Sequence, residues 1–337
     1  MDGGGAAAVE VARRVAEEVL FPAAIAVDRA DTVPVAHLGA LAEAGLYGVA
    51  GPVEAGGADL DLPAFCSVVE ALAGGCLTTA FVWVQHHGLV RELAGEGAPA
   101  QLRERWLAPL CRGELRAGVA LAGLLPGAPR LRARPAEGGW VLDGTSPWVT
   151  GWGRVDLLHV VARGPGDTVV GLALDAAERP GLVARRRPLV AVDASATVEV
   201  EFASLAVDGG RLLSVQPYHP PDSVATVRVH ASLVLGVVAR CCWLVGPSGL
   251  DGRLADCRRA LDEALADGTG ERMATARAAV SELAVRASAA AVVSAGSRSI
   301  RLDQHAQRLA REASFLLVFG SRPRIRAAML DQLAGPG

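Results

Sequence analysis

The chain has 337 residues, 51% of them hydrophobic and only 4% aromatic, so Ala, Val and Leu must fill a sizeable core. All 33 basic residues are arginine, which excludes Schiff-base, pyridoxal and phosphate-loop lysine chemistry. A net charge of −3 with interspersed signs, and a densest basic run of only Arg185-Arg186-Arg187, excludes a nucleic-acid footprint.

Apolar positions at three-to-four spacing predict helices over residues 9–20, 35–45, 62–73, 79–93 and 99–110, separated by Gly and Pro breaks. From Gly118 the pattern changes. Short, Val-rich, often alternating segments at 118–125, 139–143, 157–162, 168–174, 182–187 and 197–202 predict antiparallel strands. After Tyr218-His219-Pro220-Pro221 the helical period returns over 223–245, 253–266, 272–295, 302–318 and 325–333. Helices, then strands, then helices predict an α+β architecture. The expected domains are an N-terminal helical domain at 1–117, a middle antiparallel β domain at 118–215 and a C-terminal helical bundle at 222–334.

Residues 287–293 are small and apolar on nearly every face, as expected of a helix buried all round in a subunit interface. The apolar stretches around 233–245 and 289–293 read as too short or interrupted to span a bilayer. The first ten residues lack a signal pattern. The six cysteines show no metal-ligand spacing, and the adjacent pair Cys241-Cys242 reads as packing. The expectation is a cytoplasmic protein with no metal and no membrane or nucleic-acid partner.

Four strings carry a family resemblance. They are Leu41-Ala42-Glu43-Ala44-Gly45-Leu46-Tyr47-Gly48 with Pro52-Val53-Glu54-Ala55-Gly56-Gly57, and Trp106-Leu107-Ala108-Pro109-Leu110-Cys111-Arg112-Gly113. The third is Asp143-Gly144-Thr145-Ser146-Pro147-Trp148-Val149-Thr150, and the fourth Val200-Glu201-Phe202 with Gly210-Arg211-Leu212-Leu213. In this order they resemble the acyl-CoA dehydrogenase family. The resemblance implies FAD between the β domain and the C-terminal helices, with Trp148, Val149 and Thr150 at its ring and Leu121 and Ala122 on the first strand. It implies an acyl-CoA or acyl-carrier-protein thioester beside a catalytic carboxylate, which removes a proton as hydride leaves. It also implies a homo-oligomer, or a hetero-oligomer with a related subunit.

The same alignment shows departures. The family's two base positions hold Gly320 and Thr226, and neither residue can take a proton from a carbon acid. Phosphate-facing positions are thinned, with Arg298 and Arg253 as candidate replacements. His230 lies one helical turn after Thr226, and reads either as a displaced acid or base or as a hydrogen-bonded interior histidine. His86 and His87 follow Trp83 on a helix that, in the family, borders the acyl pocket; adjacent positions diverge, so both cannot enter it. Arg322 and Arg324 read as pocket anion partners or as a solvated helix start.

Two classes of function follow. One is a divergent flavoprotein oxidoreductase, or the base-lacking subunit of a heteromer of the kind actinobacteria use in steroid side-chain degradation. The other is a redox-neutral or flavin-free enzyme on the same scaffold, or a non-catalytic structural partner.

Overall fold

The computed structural model describes residues 3–220 and 223–335. Pro221 and Asp222, at the start of the expected C-terminal segment, lie outside the described residues.

Helix α1 (Gly3–Val15) runs through a π turn (Ala16–Leu20) into α2 (Phe21–Asp28). The sequence pattern ends this helix at Leu20 because Pro22 follows. Pro22 instead occupies the first turn of α2, where its missing N–H costs nothing. α3 (Val35–Glu43), α4 (Leu62–Gly75), α5 (Leu77–Ala94) and α6 (Ala100–Cys111) complete the first layer. α4 begins where the Asp61 carboxylate accepts the Ala64 N–H at 2.8 Å, with a proline in its first turn. Phe65, Leu72 and Leu77 are fully buried between α4, α5 and their neighbours. Burial on that scale contributes roughly 1.5–3 kcal/mol per side chain.

Eight strands follow: β1 (Ala117–Ala120), β2 (Leu131–Ala136), β3 (Gly139–Val149), β4 (Leu157–Arg163), β5 (Thr168–Asp175), β6 (Leu182–Arg186), β7 (Val198–Asp208) and β8 (Leu212–Pro217). They form one sheet in the order β6-β7-β3-β2-β4-β5-β8, with β1 alongside β4. The pairings are antiparallel except β1 with β4 and a single-residue contact of β2 with β4. The sheet is therefore mixed, and no crossover helix joins its parallel strands. β2 and β8 were not foreseen. In β2 the alternation of buried Leu131 and Ala133 with exposed arginines is masked by Arg130, Arg132, Arg134 and Pro135.

The last layer holds α7 (Val224–Val245), α8 (Gly249–Asp267), α9 (Gly270–Ala295), α10 (His305–Val318) and α11 (Pro323–Ala334). α7 crosses α4 closely enough that a Cβ on Gly236 would stand 2.7 Å from the backbone N of Gly74. Only glycine admits that approach. By length and composition two helical stretches are long enough to cross a membrane, Val224–Val245 and Gly270–Ile300, contrary to the sequence expectation. The first has 78% of its apolar window buried inside the fold, the place of a core helix. Ala287, Ser288 and Ala291 are buried within the chain, whereas Ala289 and Val293 are exposed, Val293 at 80%.

Candidate functional site

The turn between α10 and α11 carries Gly320, where the family resemblance places a base. The last carbonyls of any helix lack intrahelical partners. Here the buried Arg277 of α9 supplies them, donating from Nη2 to the Leu316 carbonyl at 2.8 Å and the Phe319 carbonyl at 3.3 Å. Its Nη1 donates to Ser281 one turn along. Burial pushes the Arg277 guanidinium down to about 10, so it stays charged at neutral pH. The chain then turns through Gly320 at φ +63°, a left-handed conformation that favours glycine.

A side chain at residue 320 would enter space already taken. An ideal Cβ there would lie 2.5 Å from Nδ1 of His230 and 3.3 Å from its Cγ and Cε1. The imidazole thus fills the volume where the base would begin. His230 also packs on Phe319 at 4.7 Å between centroids. Phe319 meets Phe81 of α5 at 4.9 Å and stacks on Phe315. Burial, then the nearby Arg277 and Arg322, hold the His230 pKa down at about 3. At neutral pH the ring is uncharged.

Thr226 is exposed in the first turn of α7, its N–H donating to the Ser223 hydroxyl at 3.3 Å. Arg322 and Arg324 line a cavity of about 30 Å³ with Val224, Val227 and Met273, room for about one water.

His86 and His87 face different neighbours, as their adjacency on α5 requires. Both are buried. His86 accepts the Ala117 N–H on Nδ1 at 3.2 Å and meets the Tyr47 ring, while His87 meets Phe65 and Trp83. His86 Nε2 and both ring nitrogens of His87 have no hydrogen-bond partner. Burial lowers His86 to about 3 and His87 well below its ordinary value. Their neighbours are those of the core, not of His230.

At the end of β3, a bulge between Ser146 and Val149 turns Trp148 outward at φ +62°. Its side chain is 64% exposed. Val149 and Thr150 point inward, and the Thr150 hydroxyl pairs with Thr197 at 3.3 Å. The neighbouring turn (Ala122–Leu124) leaves Leu121 partly exposed and buries Ala122. Tested against a flavin ring, these residues offer an indole face but no accessible hydroxyl, so the set does not fit. Of the candidate phosphate partners, Arg253 is paired with Glu282 at 2.8 Å and Arg298 stands exposed after α9.

A larger groove, of about 460 Å³, lies elsewhere, among Arg13, Glu17, Glu70, Arg240, Trp243 and Arg258. Its charges are already matched, Arg240 with Glu17 and Arg258 with Glu70. Sequence reasoning missed Arg277 and the Phe81–Phe315–Phe319 cluster. The one available signal for Arg277 was its place among small apolar residues on α9, four before Ser281.

Residues 6–114 match the family model for the acyl-CoA dehydrogenase N-terminal domain. The mitochondrial short-chain specific acyl-CoA dehydrogenase of Bos taurus is 27% identical over 212 residues, 60% of this chain and 52% of the bovine protein. The benzylmalonyl-CoA dehydrogenase of Aromatoleum aromaticum is 28% identical over 239 residues, 66% of this chain and 62% of that protein. The matches thus span about half to three-fifths of these relatives' length. Among solved structures, butyryl-CoA dehydrogenase from Megasphaera elsdenii has a TM-score of 0.81 at 16% identity, covering 99% of both chains. Residues 6–114 thus match the acyl-CoA dehydrogenase N-terminal domain, and the whole chain shares the helix–sheet–helix fold of butyryl-CoA dehydrogenase.

Proposed function

We propose that this chain is the base-lacking member of an acyl-CoA dehydrogenase-like oxidoreductase that acts on an acyl thioester. A related chain, assembled with it, carries the proton-abstracting carboxylate and serves the FAD. The observation that carries this reading is the His230 ring in the space of a residue-320 side chain. In this reading the packing of His230 against Gly320 takes the place of the carboxylate side chain. FAD, when bound to such an assembly, accepts the hydride. This chain's own part is to hold the 316–322 turn and the aromatic cluster at the thioester end of the site.

Two preparations test the reading: the chain alone, and the chain co-expressed with a family member that keeps the carboxylate. Each is mixed anaerobically with a panel of acyl-CoAs, and enoyl-CoA is measured. The chain alone is expected to give none, and the pair is expected to form a complex that does. Turnover by the chain alone would overturn the reading, as would failure of the two chains to associate.

A further inference from the structure

The end of β3 is sealed by three hydroxyls. Ser195 and Thr197 pair at 2.8 Å, and Thr197 pairs in turn with Thr150 at 3.3 Å. Ser195 is fully buried, Thr150 is 2% exposed and Thr197 3%. We infer that this chain does not hold a flavin ring through Thr150 and, by itself, retains no FAD.

Two further features make the seal a built one. First, the segment bearing Ser195 and Thr197 is held in an unusual backbone. Val192 and Ala196 flank the turn Asp193–Ser195 at φ +53° and +48°, left-handed for residues with side chains. Several bonds fix that shape. Asp193 accepts from the Leu189 N–H at 2.9 Å and from Arg186 at 3.0 Å. The Arg187 N–H donates to the Thr197 carbonyl at 3.0 Å, and the Gly151 N–H to the Ser195 carbonyl at 2.8 Å. Thr150 is thus gripped on both sides: its neighbour Gly151 is bonded to Ser195, and its own hydroxyl to Thr197.

Second, the adjacent turn is pressed flat onto the sheet. A Cβ on Gly123 would stand 2.5 Å from the Ala162 carbonyl carbon. Arg163 donates to the Gly123 carbonyl at 3.2 Å and reaches the Leu125 carbonyl at 3.5 Å, while its guanidinium stacks on Tyr218 at 3.4 Å. The Leu121 and Ala122 carbonyls accept from Leu124 and Leu125 within the turn. Trp148 stays open, and one ring face gives a planar ligand stacking without the hydrogen bonds that orient it.

This inference is separate from the missing base. A chain can lack the carboxylate and still carry flavin. The full-length chain, purified alone, is incubated with excess FAD and passed through gel filtration, and the visible spectrum of the protein peak is recorded. Free FAD is also titrated with the chain while flavin fluorescence is followed. The expected result is no co-eluting flavin and no saturable change in fluorescence. Thr150→Val is then expected to lower the melting temperature, because it strips Thr197 of a buried partner, and to leave the flavin result unchanged. FAD co-eluting at close to one per chain would overturn the inference. So would saturable binding that Thr150→Val weakens tenfold or more. Failure to bind acyl thioesters would count against the proposed function and leave this inference standing.

Discussion

His230 and residue 320 compete for one volume. An ideal Cβ at 320 falls 2.5 Å from the ring, so even alanine forces His230 to move, and the left-handed φ of +63° adds strain. Gly320→Ala is expected to cost roughly 1–3 kcal/mol, an overpacking cost, read by urea denaturation. Adding His230→Ala frees the space. The double variant is then expected to recover part of that loss, with a coupling energy of roughly 0.5–3 kcal/mol. Strict additivity would mean that the two residues do not share the volume. Restoring the carboxylate as Gly320→Glu alone meets the same clash, so it is expected to destabilise without conferring activity. The helix that leads to Gly320 was legible in the sequence from its apolar period. What lies against Gly320 was not, since a contact between residues 230 and 320 depends on how α7 meets the end of α10. The neighbours of His230, namely Arg277, Arg322 and Phe319, were likewise not readable from its own helix.

The element that sets this geometry is the end of α10, fastened to α9 by Arg277. Replacing the guanidinium removes hydrogen bonds to two helix-terminal carbonyls. Arg277→Leu is expected to lose roughly 1–3 kcal/mol, the cost of stranding buried acceptors. It should also raise hydrogen exchange at the amides of the 319–321 turn more than at α5. A uniform change across the molecule would argue against a local fastening. Most helices were legible because their apolar period is strong, although α8 starts at Gly249, ahead of the predicted 253, where Ser248 caps it. β2 was not, because its arginines and proline conceal a two-residue alternation. The parallel pairing of β1 with β4 was equally hidden, since neither strand's own sequence states its neighbour. At the end of β3, the motif around Trp148 pointed to Thr150 but not to the bond its hydroxyl makes. The pairing of Thr150 with Thr197 crosses 47 residues of chain.

For the whole molecule, the buried histidines dictate a response to acid. His86 is held at about 3 against an ordinary 6.5, and His87 well below 6.5, both because burial disfavours the charged ring. Depressed histidines bind protons more readily in the unfolded chain. Their contribution is therefore complete above pH 6.5 and is lost as pH falls from 6.5 towards 3. Each such ring costs up to about 1.4 kcal/mol per pH unit in that window. The melting temperature is expected to fall steeply between pH 6 and 4, and the fall is expected to be shallower in His87→Leu. Equal slopes would show that other groups govern acid unfolding.

The exposed side chains of Trp243, Val293 and Ile300 bear on assembly. If they meet another subunit, Val293→Arg is expected to lower the mass seen by light scattering. A monomeric natural chain at micromolar concentration would refute the proposed assembly.

The central claim is that no group at the family's base position removes an α proton. It is tested most directly by incubating the purified chain with an acyl-CoA in D₂O and following loss of the α-proton NMR signal, a measurement that needs neither flavin nor an electron acceptor. The account predicts exchange no faster than in buffer, against the ~10²–10⁴-fold acceleration that a positioned base supplies. Exchange in that range, abolished by His230→Ala, would contradict it and make the imidazole the base.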